Sequence, residues 1–549
     1  MAERYFGEER LRLLTERFNE KFNKKDYLNA LLTVDSLEKS GCLELTAILY
    51  RTKVLFQMER YSQAIDEWFK YLTKVSNQKK CAVAYNGLGA CYYRLGDDKV
   101  AGYYFNRQIM SDKRGIFDYS YVTAEFYEDV LSADKNYYLA YPYDKADFTK
   151  KLLDAEDLLK MGDYEGAENE LSVIPNTSKY YPSALITLSI AKYFKGDIDG
   201  AKKDIELSIK LEPKAVAICN AISMFIAEKD DERANFYLDM LKTVELSSSE
   251  DLYKISMIYC ERGEHQTALE YAKKYLKESP YDASTLMLYG MMNYNLESYA
   301  EAEESFKKAY QINRGYITKY YLKLSEKRTY KSLEYTFDLQ ANDKLQALKK
   351  ITSLMKASAE DRLIAQGEAY DLAKYAFSSN SYQLQSSVVT LLGELATETA
   401  VEIMKKALIS VSVYDRIKAG ILGFLTADGF DGEQGAVFGN IFRKIKFYKA
   451  EFIDKNSVFT EAYAYVFAKF APVEKDLEPL KTSAESIYQK LKEKGVLNSV
   501  LDVRSLSAVI YELSTIAKIK SRREFASFFE ANLREIKRIK SLIDEKPTE

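Results

Sequence analysis

The chain has 549 residues and a formal net charge of −3, from 79 Lys+Arg against 82 Asp+Glu. That balance excludes the bulk cationic field of a nucleic-acid-coating protein. Such a length is too great for one compact core unless stacked units remove the limit, and only 8 prolines and 23 glycines point to a mostly helical chain. From Lys331 onward there are 32 basic and 30 acidic residues, so neither half is strongly charged. The cysteines, Cys42, Cys81, Cys91, Cys219 and Cys260, are odd in number and form no C-x-x-C pair. They read as reduced thiols of a cytoplasmic protein. The start, MAERYFGEERLRLL, is too charged for a secretory signal. No stretch is apolar for long enough to span a membrane.

In chain order, helical units begin near Leu11, Leu45, Ala82, Phe148, Pro182, Ala215, Ser249 and Ala283. Each places an alanine at its twentieth position: Ala30, Ala64, Ala101, Ala167, Ala201, Ala234, Ala268 and Ala302. The turn before that alanine is repeatedly Gly-Asp or close to it, as at Gly96-Asp97, Gly162-Asp163, Gly196-Asp197 and Gly263-Glu264. Glycine there permits the left-handed backbone that ends a first helix, and the acid favours the start of the next. Between 116 and 147 the period breaks; Tyr119, Val122, Phe126 and Val130 fit an extra helix, followed by the aromatic loop Asn136–Asp144.

The units at Ser249 and Ala283 lie 34 residues apart and superpose without a gap. The second adds Gly290 at position eight, Phe306 and Ala309, and the first ends on Pro280. These features resemble the tetratricopeptide repeat, a helix-turn-helix unit with close helix crossings at the small residues. The resemblance implies an all-α solenoid of about eight units over residues 1–327, with the irregular insertion at 116–147. Tyr316–Lys327 reads as its closing helix.

A second helical part is expected over 328–549. Leu384, Val388, Leu391, Leu392 and Leu395 form one apolar stripe; Val401, Met404 and Leu408 form the next, and Ile417, Ile421, Leu422 and Leu425 a third. Residues 381–447, with Asp415-Arg416 at a helix start, resemble HEAT or armadillo-type repeats; a helical bundle is the alternative. Leu497–Ala517 and Phe525–Ile543 read as two further amphipathic helices, and 546–549 as a frayed tail. Essentially no strand is expected.

The residues give little room for catalysis. His265 is the one histidine in the chain. No Gly-x-Ser-x-Gly elbow, phosphate loop or dinucleotide fingerprint is present, and cysteine and histidine spacing excludes a zinc site. Neither a cofactor nor a metal is expected. In the glycine-rich stretch Thr426–Gly439, Asp428, Asp431 and Glu433 miss calcium-loop spacing, so it reads as a loop. Basic residues cluster at Lys518, Lys520, Arg522, Arg523, Arg534, Lys537, Arg538 and Lys540, and again at Arg443, Lys444, Lys446 and Lys449. They supply an alternative function, an RNA-associated or regulatory scaffold.

In the tetratricopeptide family the first helix of each unit lines a groove. The resemblance implies groove positions at 2, 5, 9, 12 and 13. Only Lys53 and Asn86 match the lysine and asparagine clamp that some members use for a terminal carboxylate. The middle units instead carry Ile186, Ile190, Tyr193, Tyr253, Met257, Met287, Met291 and Tyr294. An apolar, methionine-rich lining suits an amphipathic protein segment. The expected function is therefore a non-enzymatic protein-protein interaction scaffold, its occupant a partner segment or the chain's own C-terminal domain.

Overall fold

A computed structural model describes residues 2–39, 44–111, 148–244, 246, 249–379, 381–519 and 521–544. The expected extra helix and aromatic loop within 116–147, and the tail, lie outside the described residues. The described residues form 28 α-helices, one short 3₁₀ turn and one two-stranded hairpin. None of the described helices is long and apolar enough to cross a membrane.

By contact the chain groups into two compact units. The first draws on 1–64, 142–352 and 378–384, and the second on 65–141, 353–377 and 385–549. Compactness thus divides the residues differently from the repeat period, which stops at Lys327.

In the first unit, helices pair in sequence: Phe148–Met161 with Tyr164–Ser172, Tyr181–Lys195 with Ile198–Leu211, and Ala215–Ala227 with Asp231–Leu241. Ser249–Glu261 then pairs with His265–Glu278, and Ala283–Asn295 with Tyr299–Ile312, before Tyr316–Lys327 closes the series. Every position-twenty alanine, in both units, is 0% exposed. A larger side chain there would hold the paired helices apart. Gly290 does the same work from the opposite helix, since a Cβ on it would stand 2.7 Å from the Phe306 ring.

Five residues before each of those alanines the backbone turns left-handed. Glycine takes that place at Gly96, Gly162, Gly196 and Gly263, but Lys25, Glu59, Lys229 and Glu297 take it in the other units. The same hydrogen bond follows in all of them, as in Asp197 N–H to Lys192 O and Ser298 N–H to Asn293 O. This six-to-one closure satisfies the carbonyls left over at a helix end. The repeat keeps that hydrogen bond in every unit, whether or not glycine supplies the turn.

The N-terminal helices Ala2–Asn23, Tyr27–Lys39 and Glu44–Gln57 belong to this same unit, and Tyr27–Lys39 packs on Tyr299–Ile312. Asp35, buried, pairs with buried Arg51 at 2.9 Å and also with Arg314. Arg60 meets Asp282 at 2.7 Å, and the Tyr27 ring lies edge-on to Tyr281 at 6.0 Å. The first repeat in sequence therefore rests on the last ones rather than only on its neighbour.

The apolar stripes become Tyr382–Leu395, which the second unit takes up from Gln385, and Glu398–Leu408 and Asp415–Ala427 within that unit, with Leu392, Met404, Leu408, Ile421 and Leu422 buried. Two expectations fail here. The glycine-rich stretch is not a loop throughout: Gly432–Phe438 (β1) pairs antiparallel with Ile441–Phe447 (β2). Gly439 and Asn440, both at positive φ, make the two-residue turn that this pairing needs. The hairpin is anchored by Tyr104, whose hydroxyl donates to Asn440 O at 2.7 Å and accepts from Phe442 N–H at 3.1 Å. Phe442 also stacks on Phe69 at 6.2 Å. Second, Leu497–Ala517 and Phe525–Ile543 are not continuous helices. They are broken into Val503–Glu512, Arg522–Phe528 and Leu533–Asp544. Glu530 turns left-handed, and Asn532 Oδ1 accepts from Arg534 N–H, which starts the last helix afresh.

Candidate functional site

The expected groove residues divide into two groups. Ile186, Ile190 and Tyr193 on Tyr181–Lys195, with Tyr253 and Met257 on Ser249–Glu261, are half-buried. All of them pack against one cluster whose interior holds Ile218, Ile222, Ile255, Ile258, Leu288 and Met292. Helical spacing of three and four residues puts Ile186, Ile190 and Tyr193 along one face. Burial raises the Tyr253 hydroxyl well above the usual tyrosine range. Tyr193 donates its hydroxyl to Glu228 Oε1 at 3.3 Å.

Met287, Met291 and Tyr294 differ: they are 4%, 0% and 1% exposed. They stand at corresponding positions of their unit, yet none is a free lining residue in this structure. The Tyr294 hydroxyl donates to Tyr330 O at 2.6 Å. That contact leads to an element the repeat period did not reveal.

Residues 330–340, between Tyr316–Lys327 and the helix Ala341–Lys356, form neither helix nor strand and lie on the last units as a strap. Arg328 turns left-handed and sets its guanidinium 4.7 Å over the Tyr299 ring, redirecting the chain. Asn295 Nδ2 donates to Leu333 O at 2.8 Å, and Leu333 N–H donates back to Asn295 Oδ1 at 2.6 Å. Buried Tyr321 donates to Thr336 O and Asp338 O at 2.9 and 3.0 Å. Gln340, also buried, donates to the Tyr321 hydroxyl at 2.8 Å and accepts from Glu334 N–H at 2.8 Å. Leu333 is buried, and Tyr335 packs against the same cluster as Ile190 and Met257. Its hydroxyl lies 2.7 Å from His265 Nδ1. Phe337 faces Tyr253 at 6.4 Å between ring centroids.

Sequence reasoning missed Asn295, Tyr321 and the strap. Asn295 stands at position thirteen of its unit, one of the groove positions, and the apolar alternation Leu333, Tyr335, Phe337, Leu339 comes after the last repeat. Either signal could have found the site.

A family description, tetratricopeptide repeat, matches residues 253–317. This chain carries tetratricopeptide repeats. No curated protein matches it. Among similar solved structures is a tetratricopeptide repeat protein from Parabacteroides merdae, 14% identical, covering 58% of this chain and 99% of that one at a TM-score of 0.21. The APC/C hetero-tetramer Cut9-Hcn1 is 14% identical, covers 72% and 96%, and has a TM-score of 0.24. The MamA RS-1 double mutant is 20% identical, covers 31% and 97%, and has a TM-score of 0.23. A tetratricopeptide fold serves in general as a protein-interaction scaffold.

Burial pushes the Cys219 and Cys260 thiols up to about 12, which keeps them protonated and poorly nucleophilic near neutral pH. His265 is engaged by Tyr335. No group of three or more metal-ligating side chains comes together among the described residues.

Proposed function

We propose that this chain is a non-enzymatic, cytoplasmic scaffold that holds an apolar or amphipathic protein segment on the first-helix faces of its middle repeats. The observation that carries this reading is the half-buried set Ile186, Ile190, Tyr193, Tyr253 and Met257, gathered over one core cluster. Apolar surface of this kind, left partly open, is commonly covered by a partner, and methionine adapts to varied apolar shapes. Four described cysteines without disulfides, Cys81, Cys91, Cys219 and Cys260, support a reducing compartment. The division into a repeat array over 1–327 and a C-terminal helical part over 328–549 is proposed for the order of the chain, not for its compact units.

The RNA-associated alternative has less support. Lys540 lies 2.7 Å from Glu512, Arg522 also pairs with Glu512, and Lys518 lies 3.7 Å from Glu474. On the hairpin, Lys444 lies 3.3 Å from Glu433. Charges already paired within the protein release fewer counterions on binding a polyanion.

The test is titration of the full chain with synthetic amphipathic helical peptides and, separately, with acidic peptides bearing a free C-terminal carboxylate. Ile190→Glu with Met257→Glu should weaken the amphipathic peptides at least about tenfold, since 1.4 kcal/mol is a factor of ten. Preference for the acidic tails would refute the reading.

A further inference from the structure

We infer that Tyr330–Gln340 is an internal occupant of a peptide site on the last repeats, and that the partner it stands in for is an irregular protein segment bearing a leucine two residues before a tyrosine. The inference rests on the scaffold reading, but names a different surface and a different ligand.

The repeats grip the strap by its main chain. Asn295 spends its amide donor and its carbonyl acceptor on the main chain of one residue, Leu333. Tyr294 and Tyr321 spend their hydroxyls on the main-chain carbonyls of Tyr330, Thr336 and Asp338. Three side chains of the repeats thus hold five main-chain atoms of the strap. Such grips accept any peptide that takes the same path. Tyr294 and Tyr321 are buried, and a buried hydroxyl without a partner is costly. Emptied of the strap, the site remains complementary to a peptide backbone.

The strap's enclosed side chains then give selectivity. Leu333 is enclosed, whereas its neighbours Ser332 and Glu334 are exposed. Tyr335 inserts a ring against the repeat core and a hydroxyl against His265. Phe337, 39% exposed, touches Tyr253 and adds less. The ligand so defined carries Leu-x-Tyr on a non-helical backbone, with a further enclosed leucine at the place of Leu339.

The strap suits exchange. It has no helix or strand ladder of its own to break, and a helix flanks it at each end. Local openings of this kind lie at the low-stability end of a structure. Because the strap is tethered, it competes at a high effective concentration. Partner binding is therefore held back until a segment of higher affinity, or a second contact elsewhere, tips the exchange.

The experiment uses the full chain and a labelled synthetic peptide of residues 328–340 as probe. In Leu333→Ser/Tyr335→Ser, with folding checked by circular dichroism, the peptide should bind at least ten times more tightly than to the unaltered chain. Adding Asn295→Ala should remove most of that gain. Since His265 is the one histidine in the chain, its imidazole NMR signals should shift in the strap variant and return when the peptide is added. A folded strap variant that ignores the peptide overturns the inference. If the variant does not fold, hydrogen exchange of the unaltered chain decides. The Leu333 amide should exchange at least a hundredfold faster than amides within Ala283–Asn295, and exchange only through global unfolding would overturn the inference. Failure of amphipathic helices at Ile190 and Met257, with strap exchange intact, would remove the scaffold reading at the middle repeats alone.

Discussion

Ile190, Met257 and Met291 occupy the ninth position of three repeats, yet the first two are half-buried and the third is fully enclosed. The helices that carry them are built alike and paired alike. Met291 shares its helix with Tyr294 and Asn295, two of the side chains that hold the strap. The strap crosses the last units, where Asn295, Tyr294 and Tyr321 hold it, and its bonds to these three side chains fall outside the Tyr181–Lys195 face. Repeat position fixes which way a side chain leaves its helix. Exposure is not fixed by repeat position.

Glutamate at the two methionines separates these cases most sharply. Met291→Glu puts an unpaired charge in a closed interior and should cost about 4 kcal/mol or more. Met257→Glu can send its carboxylate toward water, and should change stability by no more than about 0.5 kcal/mol. Denaturant unfolding measures both, and equal losses would mean that the two faces are alike. For that reason Met291 is unsuited to probing ligand binding.

A smaller loss is expected from Gly290→Ala in the enclosed repeat. Its Cβ would meet Phe306 at 2.7 Å, so the ring must shift, at a cost of about 1–3 kcal/mol. Melting curves would show it. Glycine at position eight is thus a packing requirement there, whereas its absence at the left-handed turns of Lys229 and Glu297 shows that those turns tolerate a side chain. Lys229→Gly should relieve that conformation and raise stability by up to about 1 kcal/mol, measurable as a higher denaturant midpoint.

The second unit supplies a pH-dependent contrast. Desolvation raises the Asp66 carboxyl to about 6, against an opposing pull from Lys70, while Asp66 Oδ1 accepts from Val411 N–H at 3.3 Å. Its folded value lies above the unfolded one, so the folded state holds the proton longer. The stability this group contributes is present at low pH and falls as pH rises from about 4 to about 6. Asp66→Asn should therefore raise the melting temperature at pH 7.5 and leave it nearly unchanged at pH 4. A gain at both values would show that the effect is not ionisation.

Much of the repeat architecture was legible because it rests on period and size. An alanine at a fixed place, and glycine opposite Phe306, are requirements of close crossing that no other residue meets well. Legibility ended where geometry is shared by several residue types. Lys25, Glu59, Lys229 and Glu297 carry the same turn as glycine, with no compositional mark. The hairpin was hidden because β1, GEQGAVF, is short and rich in small residues, and its Tyr104 anchor lies more than three hundred positions earlier, 336 from Asn440. At the candidate site, the repeat period pointed to helix faces, but Tyr335 and Leu333 sit beyond the last repeat. Nothing in a helical period describes a segment that is bound rather than folded.

The pairing of Asp35 with Arg314 spans 279 positions. During synthesis at about 5–20 residues per second, Asp35 is made roughly 15–55 seconds before Arg314. For that interval the Asp35 and Arg51 face, and the Tyr27 ring that later meets Tyr281, lack the late repeats on which they settle. The start of the nascent chain is thus completed only once the last repeats have been made.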